Sequence, residues 1–425
     1  MLVPVRESLY IPAGLCHNIF NLPSLQPPSG VFAMKTKNYL IIGNGVAGTT
    51  AAEAIRQQDP KGNITIVGEE DIPFYYRIRL NEFIAGDIGE DKLIAKKEAW
   101  YQEQRIDLRI NTRITGLDAA KKRLTTESGE KLTFDRLLLA TGSHSFLPPI
   151  EGIGQQGVFA LRHIKDARAI LAQAKKVEEA ILIGGGLLGL EAGNALRRLG
   201  KKVTVIEFFP RLLPRQLDSR GAARLQELME KMGFNFRLSA MTKTITGNNG
   251  LADGIVLEGG DTLAGRMIIV SAGVRPNLDL AKGGGLACDK GVMVNDRLET
   301  SAGDIYAAGD VAEHRGVVSG IWPASMQQGK VAGANMAGGE VEYHGTTMSN
   351  ILKVAGIDVA AAGNIDAEGR YEAQVVSSDT VYKKLVIENN RIIGCIMVGD
   401  TKNFNTITRY ITEQRDITTL KNTLL

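Results

Sequence analysis

Two stretches decide the reading of this chain: "YLIIGNGVAGTTAAEAI" (residues 39–55) and "AILIGGGLLGLEAGNAL" (residues 180–196). In each, a short apolar run leads into glycines spaced G-x-G-x-x-G and then into small and apolar residues at helical spacing. One such motif is a weak signal, because many turns use glycine. Context strengthens it. Each copy is followed by a second apolar run with an acid at its end, "NITIVGEE" (residues 63–70) and "KKVTVIEFF" (residues 201–209).

Those residue types suit a dinucleotide. The first glycine makes a tight turn, the second lets backbone N–H groups approach a pyrophosphate, the third lets helix pack on strand, and the acid takes ribose hydroxyls. Gly43, Gly45 and Gly48 with Glu69 are therefore assigned to one dinucleotide, and Gly184, Gly186 and Gly189 with Glu207 to another. The copies lie 184 − 43 = 141 residues apart, room for a domain between them. That interval holds "FDRLLLATGS" (residues 134–143), echoed by "RMIIVSAGVRPN" (residues 266–277); "TSAGDIYAAGDVAE" (residues 300–313) then closes on Gly309-Asp310.

At 425 residues with 44% apolar content, the chain is too long for one core and suggests two or three soluble domains. A formal charge of +3 makes no case for nucleic acid. Cys16, Cys288 and Cys395 lie far apart, which excludes a disulfide framework and a sequence-adjacent redox dithiol and fits a reducing, cytoplasmic setting. No apolar run approaches the roughly 18 residues of a membrane span. Residues 1–33 are aperiodic and proline-containing, and are read as a disordered tail or a misplaced start ahead of Met34.

Together, the two cradles, both ATG-type strands and the Gly-Asp strand resemble, in order, the FAD-dependent pyridine nucleotide-disulfide reductase superfamily. The resemblance implies an α/β fold with two Rossmann-like dinucleotide-binding domains, the NAD domain inserted into the FAD domain, plus a small α+β C-terminal domain. The boundaries are 34–150 and 274–343 for FAD, 151–273 for NAD and 344–425 for the C-terminal domain. In the last, residues 381–400 read as a hairpin around 388–391 and residues 402–416 as a helix.

Carried over position by position, the resemblance implies cofactor contacts for FAD at Val46, Ala47, Glu69, Arg77, Ile114, Ala140, Thr141, Gly142, Arg162, Gly309 and Asp310. For NAD(H) it adds Leu187, Leu188 and Gly273 to the second cradle, and Glu191 as the catalytic residue beside the nicotinamide. The helix opening at "WPASMQQGKVAG" (residues 322–333) is expected to face the flavin, where its N-terminus would stabilise negative charge.

The branch follows from what is missing. Where disulfide reductases carry cysteine, "PFYYRIRLNEFIAGDI" (residues 73–88) has none. Its Tyr-Tyr-Arg-x-Arg-Leu-Asn-Glu run, with "SNILKVAGIDVAAAGNI" (residues 349–365), most resembles NADH:rubredoxin oxidoreductases; Glu82 stands where oxygenase-coupled ferredoxin reductases carry lysine. The resemblance implies NADH as donor, a small acidic iron protein (rubredoxin or ferredoxin) as acceptor, Arg77 and Arg79 as its steering charges, and a monomer or homodimer. Alternatives are the electron-entry subunit of a nitrite-reductase-like or oxygenase system, and a non-catalytic nucleotide-binding flavoprotein.

Overall fold

A computed structural model describes residues 36–346, 349–419 and 424. The reading of residues 1–33 and the position of Cys16 lie outside the described residues. Asn38–Ile42 is apolar on both faces, as a central parallel strand must be. It lies in the middle of a five-stranded parallel sheet ordered Ile305–Ala307, Arg136–Leu139, Asn38–Ile42, Asn63–Val67, Ile106–Arg109.

A second five-stranded parallel sheet repeats the plan around Glu179–Ile183: Val158–Phe159, Ile268–Val270, Glu179–Ile183, Lys202–Ile206, Phe234–Arg237. Each sheet has its own three-stranded antiparallel meander, running from Ile114–Asp118 to Lys131–Thr133 in one case and from Thr242–Asn248 to Thr262–Ala264 in the other. The chain leaves the first sheet through Ser143–Ser145, builds the second, and returns through Val274–Pro276, which pairs antiparallel with the outgoing strand. Only then does Ile305–Ala307 complete the first sheet.

Helix packing positions the first cradle. Val46–Gln58 presents Ala47, Ala51 and Ala52, and Trp322–Met336 meets it with Gly329 and Gly333. A Cβ on Gly329 would stand 2.3 Å from the Ala47 carbonyl oxygen, so the two backbones touch and only glycine fits. Residues 349–398 form a five-stranded antiparallel sheet, covered by the helix Phe404–Thr412. Its hairpin turns at Asn389-Asn390, both at positive φ, as a two-residue type I′ turn requires.

One core joins regions the sequence keeps apart. Leu80 and Ile84 of the short helix Leu80–Ala85 are buried with Leu190 and Ala192 of the second cradle helix, and with Val354 and Tyr382 of the C-terminal sheet.

Candidate active site at the two cradles

The carboxyl ends of the first parallel sheet open into a cleft of about 710 Å³, within the range of small-molecule sites. Gly43, Gly45, Val46, Ala47 and Glu69 line it from the first cradle. Arg77, Ile114, Ala140, Thr141 and Gly142 join them from the connecting segments, and Arg162, Gly309 and Asp310 complete the set expected from sequence. Gly48 does not line the cleft; a Cβ there would stand 2.0 Å from the Gly43 carbonyl oxygen, so its part is the close helix-to-strand packing expected of the third glycine.

The cleft fits a dinucleotide on physical grounds. Gly43 holds φ +114°, and a Cβ there would meet the Ala140 carbonyl oxygen at 2.0 Å. The helix Val46–Gln58 begins at Gly45 with no side-chain cap and no acid in its first turn. Val46–Gln58 shares this feature with Leu187–Arg198, capped only by Gly186, and with Trp322–Met336. By contrast Asp218 caps Ser219–Lys231, and Asp166 accepts from the N–H groups of Arg162 and His163 at the head of Ile164–Ala174. The uncapped ends leave backbone donors and a positive dipole end for an anion. Asn44, in the first glycine turn, also keeps a buried Nδ2 without a partner.

The second cradle repeats the same turn. Gly184, at φ +112°, would place a Cβ 2.3 Å from the Ser271 carbonyl oxygen, and Gly189 packs on Gly184 in the same way. Glu207 is 6% exposed. Its Oε2 accepts from Gly185 N at 2.5 Å and its Oε1 from Phe209 N at 2.8 Å. Leu188 and Gly273 border a small hollow of about 20 Å³, and Leu188 also lines the first cleft. Leu187 and Gly186 open the helix beside it. Leu188, on the helix of the second cradle, therefore reaches the wall of the first cleft.

Three expectations need restating. Arg77 lines the cleft but is not a free charge, since its Nη2 donates to Glu70 at 2.6 Å. Arg79 is likewise tied to Glu82, with Nη2 to Oε2 at 2.7 Å. Glu191 borders neither opening; its Oε1 accepts from Ala355 N at 2.9 Å in a turn of the C-terminal sheet, and burial, with Glu82 adding to it, pushes its carboxyl up. It reaches the C-terminal unit.

The sequence reading missed several lining residues. Ser143 sits between Arg162 and Asp310. Phe74 and Trp322 stack at 5.9 Å on the cleft wall. His163 lines the cleft with Nδ1 3.2 Å from Glu70. Only its adjacency to Arg162 could have signalled this. No cysteine among the described residues lines either opening.

A model of the pyridine nucleotide-disulphide oxidoreductase family matches residues 37–334. The chain belongs to this family. A model of the Rubredoxin NAD+ reductase C-terminal domain matches residues 349–415 of the same chain. It is 36% identical over 388 residues to a nitrite reductase [NAD(P)H] of Bacillus subtilis, covering 90% of this chain and 48% of that protein. To an NADH-rubredoxin oxidoreductase of Clostridium acetobutylicum it is 33% identical over 367 residues, covering 86% of this chain and 92% of that one. The crystal structure of the Clostridium acetobutylicum NADH:rubredoxin oxidoreductase superposes with a TM-score of 0.79 at 30% identity, covering 92% and 98% of the two chains. The chain spans about half the length of the nitrite reductase it matches. Among its described residues no helix is long and apolar enough to cross a membrane.

Proposed function

We propose that the chain is an FAD-containing NADH oxidoreductase that delivers electrons to a small acidic iron protein such as rubredoxin. The observation that carries this reading is that the second uncapped cradle helix reaches the cleft of the first at Leu188, with no cysteine among the described residues lining that cleft. Bound FAD would supply a centre that takes a hydride from a nicotinamide and releases electrons singly.

The chain's own residues bind and orient. The N–H groups after Gly43 and Gly184 face the two pyrophosphates, Glu69 and Glu207 take the adenosine riboses, and Arg162 with Asp310 fixes the middle of the flavin nucleotide. Trp322–Met336 directs its N-terminus at the flavin. Glu191, assigned to the nicotinamide side, also ties the second cradle helix to the C-terminal unit through Ala355 N. The FAD unit is assigned to 34–150 and 274–343, the NAD unit to 151–273 and the C-terminal unit to 344–425.

A second reading, the flavin electron-entry part of a nitrite-reductase-like system, is favoured by the Bacillus subtilis relative, of which this chain spans 48%. One experiment tests both. The purified protein is loaded with FAD, NADH is added without oxygen, and flavin bleaching is followed before rubredoxin, a [2Fe–2S] ferredoxin or a nitrite-reductase partner is mixed in. Bleaching with fast rubredoxin reduction supports the first reading. Bleaching with slow rubredoxin reduction and fast reduction of another acceptor supports the second, and no bleaching defeats both.

A further inference from the structure

Beside the cleft, one carboxylate organises groups from two other parts of the chain. Glu70 Oε1 accepts from Arg77 Nη2 at 2.6 Å and lies 3.2 Å from His163 Nδ1; Oε2 accepts from the Tyr75 hydroxyl at 2.8 Å and faces Ile164 N at 3.4 Å. Arg77 and Tyr75 hold one oxygen each by short hydrogen bonds, with His163 and Ile164 crowded beside them. The ribose role therefore stays with the exposed neighbour Glu69. Burial alone would push the Glu70 carboxyl up, but His163, the Arg77 charge and Tyr75 hold it down at about 2.

The chain of contacts continues into the cleft. Arg77 Nη1 donates to the Arg162 carbonyl and sits 3.0 Å from His163 Nδ1. With its backbone pinned there, Arg162 extends its guanidinium to Asp310 Oδ2 and Ser143 Oγ, both at 2.7 Å, and to the Ser143 carbonyl at 3.0 Å. Ser143 Oγ in turn donates to the same Asp310 oxygen at 2.9 Å.

We propose that Glu70 is a positioning residue for the flavin: by clamping Arg77 and the Arg162-His163 backbone, it fixes the Arg162 guanidinium on Asp310. The proposal rests on the reading that this cleft takes FAD. Without the Glu70 charge, Arg77, only 28% exposed, loses its counter-ion and releases the Arg162 carbonyl. Glu69 and Glu70 are neighbours in sequence, yet one reaches toward the adenosine end and the other acts through the flavin-side pair.

The difference is measurable without turnover. FAD is stripped from the protein, and FAD or FMN is titrated back by flavin fluorescence; FMN lacks the adenosine half. Glu69→Gln should weaken FAD and leave FMN unchanged. Glu70→Gln should raise both dissociation constants by the same factor, about tenfold, as expected for losing a charged hydrogen-bond partner. Arg77→Lys keeps the charge beside Glu70 but cannot also bond the Arg162 carbonyl, so it should weaken both flavins alike, and it serves if Glu70→Gln does not fold. Wild-type affinities in these variants overturn the proposal, as does a Glu70→Gln loss confined to FAD, which would make Glu70 the ribose ligand. If the wild-type apoprotein binds neither flavin, the reading of the cleft fails along with it.

Discussion

The two cradles repeat one backbone and use their acids differently. Gly43 N bonds Val67 O and Gly184 N bonds Ile206 O, both at 2.8 Å; Ala140 N to Ile42 O and Ser271 N to Ile183 O repeat that distance. Gly68 N to Arg109 O and Glu207 N to Arg237 O, both at 2.9 Å, then set Gly68 opposite Glu207. The first acid, Glu69, therefore stands one residue further out. The residue between the first two glycines explains why. Asn44 fills that space in the first cradle, where its Oδ1 accepts from Tyr101, and a Cβ on Gly68 would approach it to 3.3 Å. Gly185 leaves the same space open, and the Glu207 carboxylate folds into it. A glycine spacing specifies the turn; its neighbours decide how far the acid reaches.

The largest effects should come from the first glycine of each turn, where a methyl group meets a carbonyl oxygen at about 2 Å and φ is positive. Such a clash costs on the order of 3 kcal/mol or more, over a hundredfold in a binding step. Gly184→Ala should keep its flavin and normal spectrum but be reduced by NADH more than about a hundredfold more slowly. Gly43→Ala should lose the flavin itself. If both variants shed flavin equally, the cradles are not independent and the comparison breaks.

The acids give the next test. A 2′-phosphate held about 5 Å from Glu207 would be repelled by roughly 3 kcal/mol per unit charge at an effective dielectric near 20, more than a hundredfold in affinity. Glu207 is held by Gly185 N and Phe209 N and is not free to swing aside. Arg211, which could offset it, donates instead to the carbonyls of Leu217 and Pro214. The ratio of kcat/KM for NADH and NADPH should therefore favour NADH strongly, narrow in Glu207→Gln, and stay unchanged in Glu69→Gln. Equal wild-type values would defeat the assignment.

Much of this was legible because glycine, strand and acid follow one another in sequence. The cradles, the ATG-type strands, the Asn389-Asn390 hairpin and the helix Phe404–Thr412 all rest on local chemistry. What was not legible depends on distant partners. Arg77 and Arg79 look like free cations in "YYRIRLNE" until the fold brings Glu70 and Glu82 to them. Nothing local announces that Ala355, 164 positions on, donates to one oxygen of Glu191. His163 carries no motif at all, and only its packing against Arg77 and Glu70 gives it a place.

Those ion pairs change what salt should do. Free arginines at the cleft would steer an acidic acceptor, with rates falling steeply as the Debye length shrinks from about 10 Å at 0.1 M to about 3 Å at 1 M. Arg79 is neutralised by Glu82, and exposed pairs of this kind contribute little. Rubredoxin reduction should therefore slow only mildly with salt, and Arg79→Glu should change it by less than about threefold at low ionic strength. A steep slope, or a Arg79→Glu defect that mimics high salt, would mean that the pair opens when the acceptor docks.

The smallest effect should come from removing every thiol. Cys395 is fully buried in the core of the C-terminal sheet, and burial pushes its thiol up to about 12. At neutral pH only about one molecule in 10⁵ would carry the thiolate that disulfide and redox chemistry need. Burial also raises the Cys288 thiol, and neither cysteine borders either opening. Cys16, Cys288 and Cys395 replaced together by Ala should leave NADH-to-acceptor turnover within about twofold, the thiolate having no part in either nucleotide step. The measurement is turnover per bound flavin, so that any loss of folded protein from the small cavity at position 395 is normalised away. A drop of tenfold or more in flavin-loaded protein would place a thiol in the electron path and return the chain to the disulfide-type branch of its family.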